Sequence, residues 1–190
     1  MLEFKFIIRA VKVLFLISAF FTSKLNGQTY KNPKAKVEDR IVDLMDKMTL
    51  EEKIGQMCQF VAPAHIERTK SRLRGEELIY NDQWGTYPGL NAAKLNEKIE
   101  RGEIGSFLHV KNVVEANELQ KIAHRSRLGI PLLIGIDAIH GHGMVRGTTI
   151  FPTQMGLSST WDDGLVHDVA QATAKEIRAT GMHWTFSPNV

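Results

Sequence analysis

Cysteine is almost absent from this sequence of 190 residues: Cys58 stands alone, which excludes an intrachain disulfide. It falls at an apolar position of a helical pattern, where a buried, inert thiol is expected. No sequence repeat and no low-complexity segment is present, which excludes solenoids and disordered tails. Long apolar runs are missing too. The stretch Val13 to Phe21, behind the basic residues Lys5, Arg9 and Lys12, is too short to span a bilayer and reads as the core of a secretory signal over residues 1–27. Its cleavage near Gly27 removes four of the 24 basic residues and, with Glu3, one of the 21 acidic ones, so the mature part carries no net charge. The formal charge of +3 belongs to the leader. No basic patch remains to meet nucleic acid, and no membrane association is expected once the leader is gone. Export without a disulfide suits a secreted or periplasmic bacterial protein.

What is present is a globular chain with 43% hydrophobic residues, enough for a sizeable core. Val37, Ile41, Leu44, Met45 and Met48 share one helical face, which predicts a helix over 36–48. Thr49-Leu-Glu-Glu52 has capping-box spacing and opens a second helix, which Ile54, Met57, Cys58 and Val61 are expected to carry inward. The methionines of this region are expected in the core. Residues 62–90, with Arg68, Lys70, Arg72, Arg74, Tyr80, Trp84 and Tyr87, read as an irregular polar insertion. Such a segment is either a lid or a solvated excursion whose aromatics fold back on the body.

From Ile104 the pattern alternates. Ile104 to Val110 is a short apolar run, Ala116, Leu119, Ile122 and Ala123 form a helix face, and Leu132 to Ile136 is continuously apolar, as in a strand buried on both faces. A loop is expected from Ala138 to Ser159. Asp162 then caps a helix whose face is Val166, Val169, Ala170, Thr173 and Ile177, Gly181 ends it, and His183 to Pro188 begins a third strand. Repeated βα units predict an α/β fold with a parallel sheet and right-handed crossovers. A complete (β/α)8 barrel needs about 250 residues, so the expectation is the N-terminal portion of a TIM-barrel-type domain, incomplete within this sequence.

The chemistry concentrates in Ile130-Pro-Leu-Leu-Ile-Gly-Ile-Asp-Ala-Ile-His-Gly-His-Gly143, where an apolar strand ends in a carboxylate, imidazoles and glycines. Asp137 lies at the carboxyl end of a strand, where α/β folds bind ligands; it could equally cap the following turn. His140 and His142 have His-x-His spacing and could share a metal ion. A metallohydrolase would need further ligands, and the later histidines are His167, at a helix position, and His183, at the start of a strand. The other reading has His140 bonding a backbone or carboxylate partner to order its loop. Gly141, Gly143 and Gly147 match neither the dinucleotide fingerprint nor the P-loop, so no cofactor is expected. Pro152 restricts Phe151 and marks a rigid loop.

Taken in order, Met48-Thr-Leu-Glu-Glu-Lys-Ile-Gly-Gln-Met57, Pro131-Leu-Leu-Ile-Gly-Ile-Asp-Ala-Ile-His-Gly141, Thr149-Ile-Phe-Pro152, Ala174-Lys-Glu-Ile-Arg-Ala-Thr-Gly181 and Phe186-Ser-Pro-Asn189 resemble the N-terminal domain of family 3 glycoside hydrolases, the β-glucosidase group. The resemblance runs over residues 36–190. It implies a (β/α)8-type first domain and retaining hydrolysis of β-glucosidic bonds in β-glucosides or short β-glucans. Retention places a nucleophile and an acid about 5 to 5.5 Å apart. In the family both come after the point matching Val190, so the resemblance implies no catalytic residue here. It carries over Asp137, the aspartate that binds hydroxyls of the non-reducing sugar. His140 and Arg146 flank it as candidate supports. The rivals are a non-catalytic sugar-binding module and, less favoured, a metal-dependent barrel hydrolase using His140 and His142.

Overall fold

The computed structural model describes residues 28–72, 87 and 89–188; the expected leader over 1–27 lies outside them. The chain divides into two compact units, Met1–Met48 and Thr49–Val190. In the first, a 3-10 turn at Thr29–Lys31 precedes helix α1, Val37–Lys47, matching the helix expected over 36–48. Asp43 ties the two together: it accepts from the Tyr30 N–H at 2.9 Å and pairs with Lys47, while Arg40 Nε donates to the Tyr30 carbonyl at 3.0 Å.

The second unit opens with α2, Leu50–Gln56, capped as its sequence predicts. Thr49 Oγ1 accepts from the Glu52 N–H at 3.2 Å and the Glu52 carboxylate accepts from the Thr49 N–H at 2.9 Å. The helix stops at Gln56 and does not run on to Val61. A Cβ on Gly55 would lie 2.4 Å from the Gly102 carbonyl, and one on Gly105 would lie 2.5 Å from the Gln56 carbonyl, so backbone packs directly on backbone here. The chain then leaves the helix, and Cys58, between elements and half-buried, accepts from the Ser106 N–H at 3.2 Å. Gln59–Val61 is strand β1. Met57 sits beyond the last helical turn and is 80% exposed, and Met45 is also exposed; of the methionines expected in the core here, Met48 is buried.

Residues expected to be irregular begin with a helix, α3 at Pro63–Arg72; Tyr80 and Trp84 lie outside the described residues. Tyr87 does fold back, its ring edge-on to Phe60 at 5.2 Å. Helix α4, Ala92–Glu100, was not anticipated, although Asn91 caps it through the Lys94 N–H at 2.9 Å and Leu95 and Ile99 bury its inner face. Next come β2 (Ser106–Leu108), α5 (Val113–Arg125), β3 (Leu133–Ile136), α6 (Gln154–Ser158), α7 (Asp163–Ala179) and β4 (Trp184–Thr185). Helix α6 interrupts the loop expected over 138–159. Asp162 caps α7 through the Leu165 N–H at 3.0 Å. Of the predicted α7 face, Thr173 and Ile177 are buried while Val166 is exposed.

The strands of the described residues are all parallel and pair in chain order, β1-β2-β3-β4. A doubly wound sheet reverses its order at a switch point, whereas unbroken succession with helical crossovers is the arrangement of the N-terminal portion of a (β/α)8 barrel. The expected α/β class stands. Leu132, Ile134 and Ile136 join Phe107, Ile66, Leu95, Leu119 and Ile177 in the core; on the opposite face of strand β3 Gly135 is buried but Leu133 is 53% exposed, so the burial on both faces expected of the whole run fails at Leu133. Gly135 shares the Leu133 face, and the Trp184 ring fills the place of its missing side chain at 2.7 Å. By the same period of two, that face also carries Asp137.

Glu52 is buried and pairs with Arg127, which is half exposed. Burial pushes its carboxyl up, but the Arg127 guanidinium and the Thr49 N–H outweigh this and hold it below the ordinary glutamate value. A lowered folded pKa gives stability that is complete above the unfolded value of about 4.3 and is lost as pH falls through the folded one. Arg127→Ala is expected to lose about 2 kcal/mol of unfolding free energy at pH 7. Urea unfolding between pH 3 and 7 checks this: the variant should lose less stability than the parent on acidification, and parallel curves would refute the pairing as the cause.

Candidate active site

The sheet delivers its polar residues at the carboxyl ends of neighbouring strands. His109 follows β2 and Asp137 follows β3. His109 still belongs to the ladder, its N–H donating to the Gly135 carbonyl at 3.0 Å, but its φ of 59° is left-handed. A non-glycine residue there carries about 1 to 3 kcal/mol of strain. Its ring crosses to the next strand end, where Nε2–H donates to Asp137 Oδ2 at 2.8 Å. Asp137 caps no backbone N–H among the described residues, so the turn-cap reading is not what the carboxylate does. Instead the turn after it is anchored from β4, the Ala138 N–H donating to Thr185 Oγ1 at 3.0 Å. Nearby Lys111 has its ammonium pKa lowered, first by burial and then by Arg68, with the Asp137 charge acting in the opposite sense.

His109 is the site residue that sequence reasoning missed. The apolar run Ile104 to Val110 absorbs it into a strand, although β2 ends at Leu108. Its signal was positional: it is the first residue after its strand, as Asp137 is after the next.

His140 and His142 diverge. His140 Nδ1–H donates to the Phe151 carbonyl at 2.8 Å, and the Phe151 N–H donates back to the His140 carbonyl at 2.8 Å. This reciprocal clamp folds the loop on itself, the ordering role weighed against metal binding. His142 is wholly buried, with Nε2 2.8 Å from Thr180 Oγ1 at the end of α7. Burial lowers its pKa, with Glu176 opposing, and Nδ1 has no hydrogen-bond partner among the described residues. His183 Nδ1 accepts from the Ile134 N–H at 3.0 Å, at the far end of β3. No group of three or more potential metal ligands occurs among the described residues, and the two imidazoles of the His-x-His pair bond to different elements.

Asp137 and His140 line an open cavity of about 370 Å3 together with Ile139, Gly141, Gly143, Met144 and Ile150. That volume lies in the range of small-molecule sites, about 300 to 1,000 Å3. Arg146 is exposed and does not line it, so its candidate supporting role has no contact behind it among the described residues. The Asp137 side chain is 38% exposed, and no hydrogen bond other than that from His109 reaches it among the described residues. An ionised carboxylate so placed can accept from vicinal hydroxyls in charge-assisted bonds. Among the described residues lining the cavity no second carboxylate accompanies it.

A model of the glycosyl hydrolase family 3 N terminal domain matches residues 49–190, starting where the second compact unit starts and later than the resemblance beginning at 36. The lysosomal beta glucosidase of Dictyostelium discoideum is 32% identical over 155 residues, which cover 79% of this chain and 18% of that protein. The periplasmic beta-glucosidase/beta-xylosidase of Dickeya chrysanthemi is 31% identical over 179 residues, covering 87% of this chain and 25% of that protein. The periplasmic beta-glucosidase of Salmonella typhimurium is 28% identical, covering 79% and 16%. The chain thus spans a quarter or less of the length of these relatives. With the family model extending over most of the sequence and across the four strands of the described residues, the chain belongs to glycosyl hydrolase family 3, through that family's N-terminal domain.

Proposed function

We propose that this chain is the N-terminal part of an exported, exo-acting β-glucosidase that hydrolyses β-glucosidic bonds with retention, and that Asp137 grips hydroxyls of the non-reducing sugar. The observation that carries the reading is the half-exposed Asp137 carboxylate at the end of β3, facing a cavity large enough for a sugar and engaged by the protein through one oxygen. The attacking carboxylate and the proton donor belong to sequence beyond these 190 residues. Export is supported by the composition of residues 1–27 and by relatives whose names call them periplasmic. No helix among the described residues is long and apolar enough to cross a membrane. Some relatives are named for β-xylosidase, and the glucoside is proposed here on the resemblance of the chain's motifs to the β-glucosidase group.

The full-length protein is expected to release p-nitrophenol from its β-glucoside faster than from its β-xyloside, and proton NMR of the early reaction should show β-glucose before mutarotation. The α-anomer appearing first would overturn retention, and preference for the xyloside would overturn the glucosidase assignment. Saturable glucoside binding without hydrolysis would favour the sugar-binding module.

A further inference from the structure

We propose that His109 is a positioning residue for the sugar-binding carboxylate: its Nε2–H holds Asp137 Oδ2 and thereby turns Oδ1 toward the hydroxyls of the bound sugar. The inference rests on the assignment of Asp137 given above. A free carboxylate rotates about its last bond with little preference, and a rotating acceptor cannot discriminate between an equatorial and an axial hydroxyl. The bond from His109, at 2.8 Å, occupies one oxygen and leaves the other to the substrate. The imidazole is the more enclosed partner, its side chain 19% exposed against 38% for Asp137. The His65 ring of α3 lies 6.5 Å away, centroid to centroid.

The backbone makes the same point. His109 donates its N–H to Gly135 as a strand residue would, and then takes φ 59°, while Val110 beside it is wholly buried. Glycine adopts that φ without strain. A strained residue whose side chain makes a single directed bond to the candidate ligand acid is the pattern expected where strain serves a site.

Glycine also supplies the test, since His109→Gly removes the imidazole and relaxes the backbone together. In the full-length enzyme we expect its melting temperature to be unchanged or higher, and kcat/KM for a p-nitrophenyl β-glucoside to fall about tenfold, as for loss of a hydrogen bond to a charged group. His109→Gln, whose Nε2 lies as many bonds from the backbone as that of histidine, should recover most of the loss. The variant combining His109→Gly with Asp137→Asn should be no worse than Asp137→Asn alone, because both changes act on one contact. Additive losses, a neutral His109→Gly beside an impaired Asp137→Asn, or no recovery by glutamine would each overturn the positioning role and leave the sugar-binding assignment standing. A neutral Asp137→Asn would instead remove that assignment and this inference with it.

Discussion

Asp137→Asn in the full-length enzyme is expected to lower kcat/KM for β-glucosides by about 10- to 100-fold. The amide keeps the shape of the side chain but gives up the charge and one acceptor, and loss of a charge-assisted hydrogen bond is worth about 1.5 to 3 kcal/mol. If the carboxylate meets the sugar more strongly at the transition state than in the ground state, the loss falls on kcat as well as on KM. His109 sharpens the expectation, because an asparagine that turns its NH2 group toward the Nε2–H at 2.8 Å loses that bond as well. A deoxy-glucoside lacking the contacted hydroxyl should lose much of its sensitivity to the substitution. Kinetics on both substrates check this. Near parental kcat/KM with a lowered melting temperature would mean that Asp137 serves only to brace His109.

Gly141→Ala should remove about 3 kcal/mol or more of stability. Gly141 has φ 96°, and a Cβ there would lie 2.3 Å from the Thr149 carbonyl oxygen and 3.1 Å from Ile150 Cα. Backbone atoms cannot rotate aside, so an overpacking penalty of about 1 to 3 kcal/mol adds to the strain of a left-handed non-glycine residue, about 1 to 2 kcal/mol. Gly147 separates the contributions: its φ is 91° but nothing lies within 4 Å of its missing Cβ, so Gly147→Ala should show the conformational part alone. Denaturant unfolding of both variants decides it, and equal losses would sink the steric argument. Gly141 adjoins His140, whose clamp on Phe151 shapes the cavity wall, so Gly141→Ala should also raise KM for glucosides while Gly147→Ala leaves it near the parental value.

Much of this was written in local sequence. Helix α1, the capping box at Thr49, the Asp162 cap of α7, the buried Leu119 face of α5 and the placement of Asp137 after a strand each depend on residues within a turn or two of one another. Short-range hydrogen bonds and apolar periodicity suffice for such elements. The motifs that carried the family resemblance are local in the same way. Strand β1 was not legible: Gln59–Val61 is three residues long, too short for a period of two to be told from the end of a helix, and its assignment comes from its pairing with Ser106–Leu108. Nor was the fate of Leu133 or Met57, whose exposure depends on which neighbours the sheet and the helix ends bring near.

The site divides along the same line. The sequence by itself determined that a carboxylate follows an apolar strand and that a glycine-rich loop with two imidazoles comes next, because chemistry of that kind resides in residue types and their order. Only the tertiary structure decided what those groups do. It sent His140 to Phe151 and His142 to Thr180, separating a pair that sequence spacing had joined. It also brought His109 to Asp137 across 28 residues of chain. Parallel pairing in register aligns the carboxyl ends of β2 and β3, and that alignment of distant residues is set by packing the whole sheet against its helices, which no local pattern encodes.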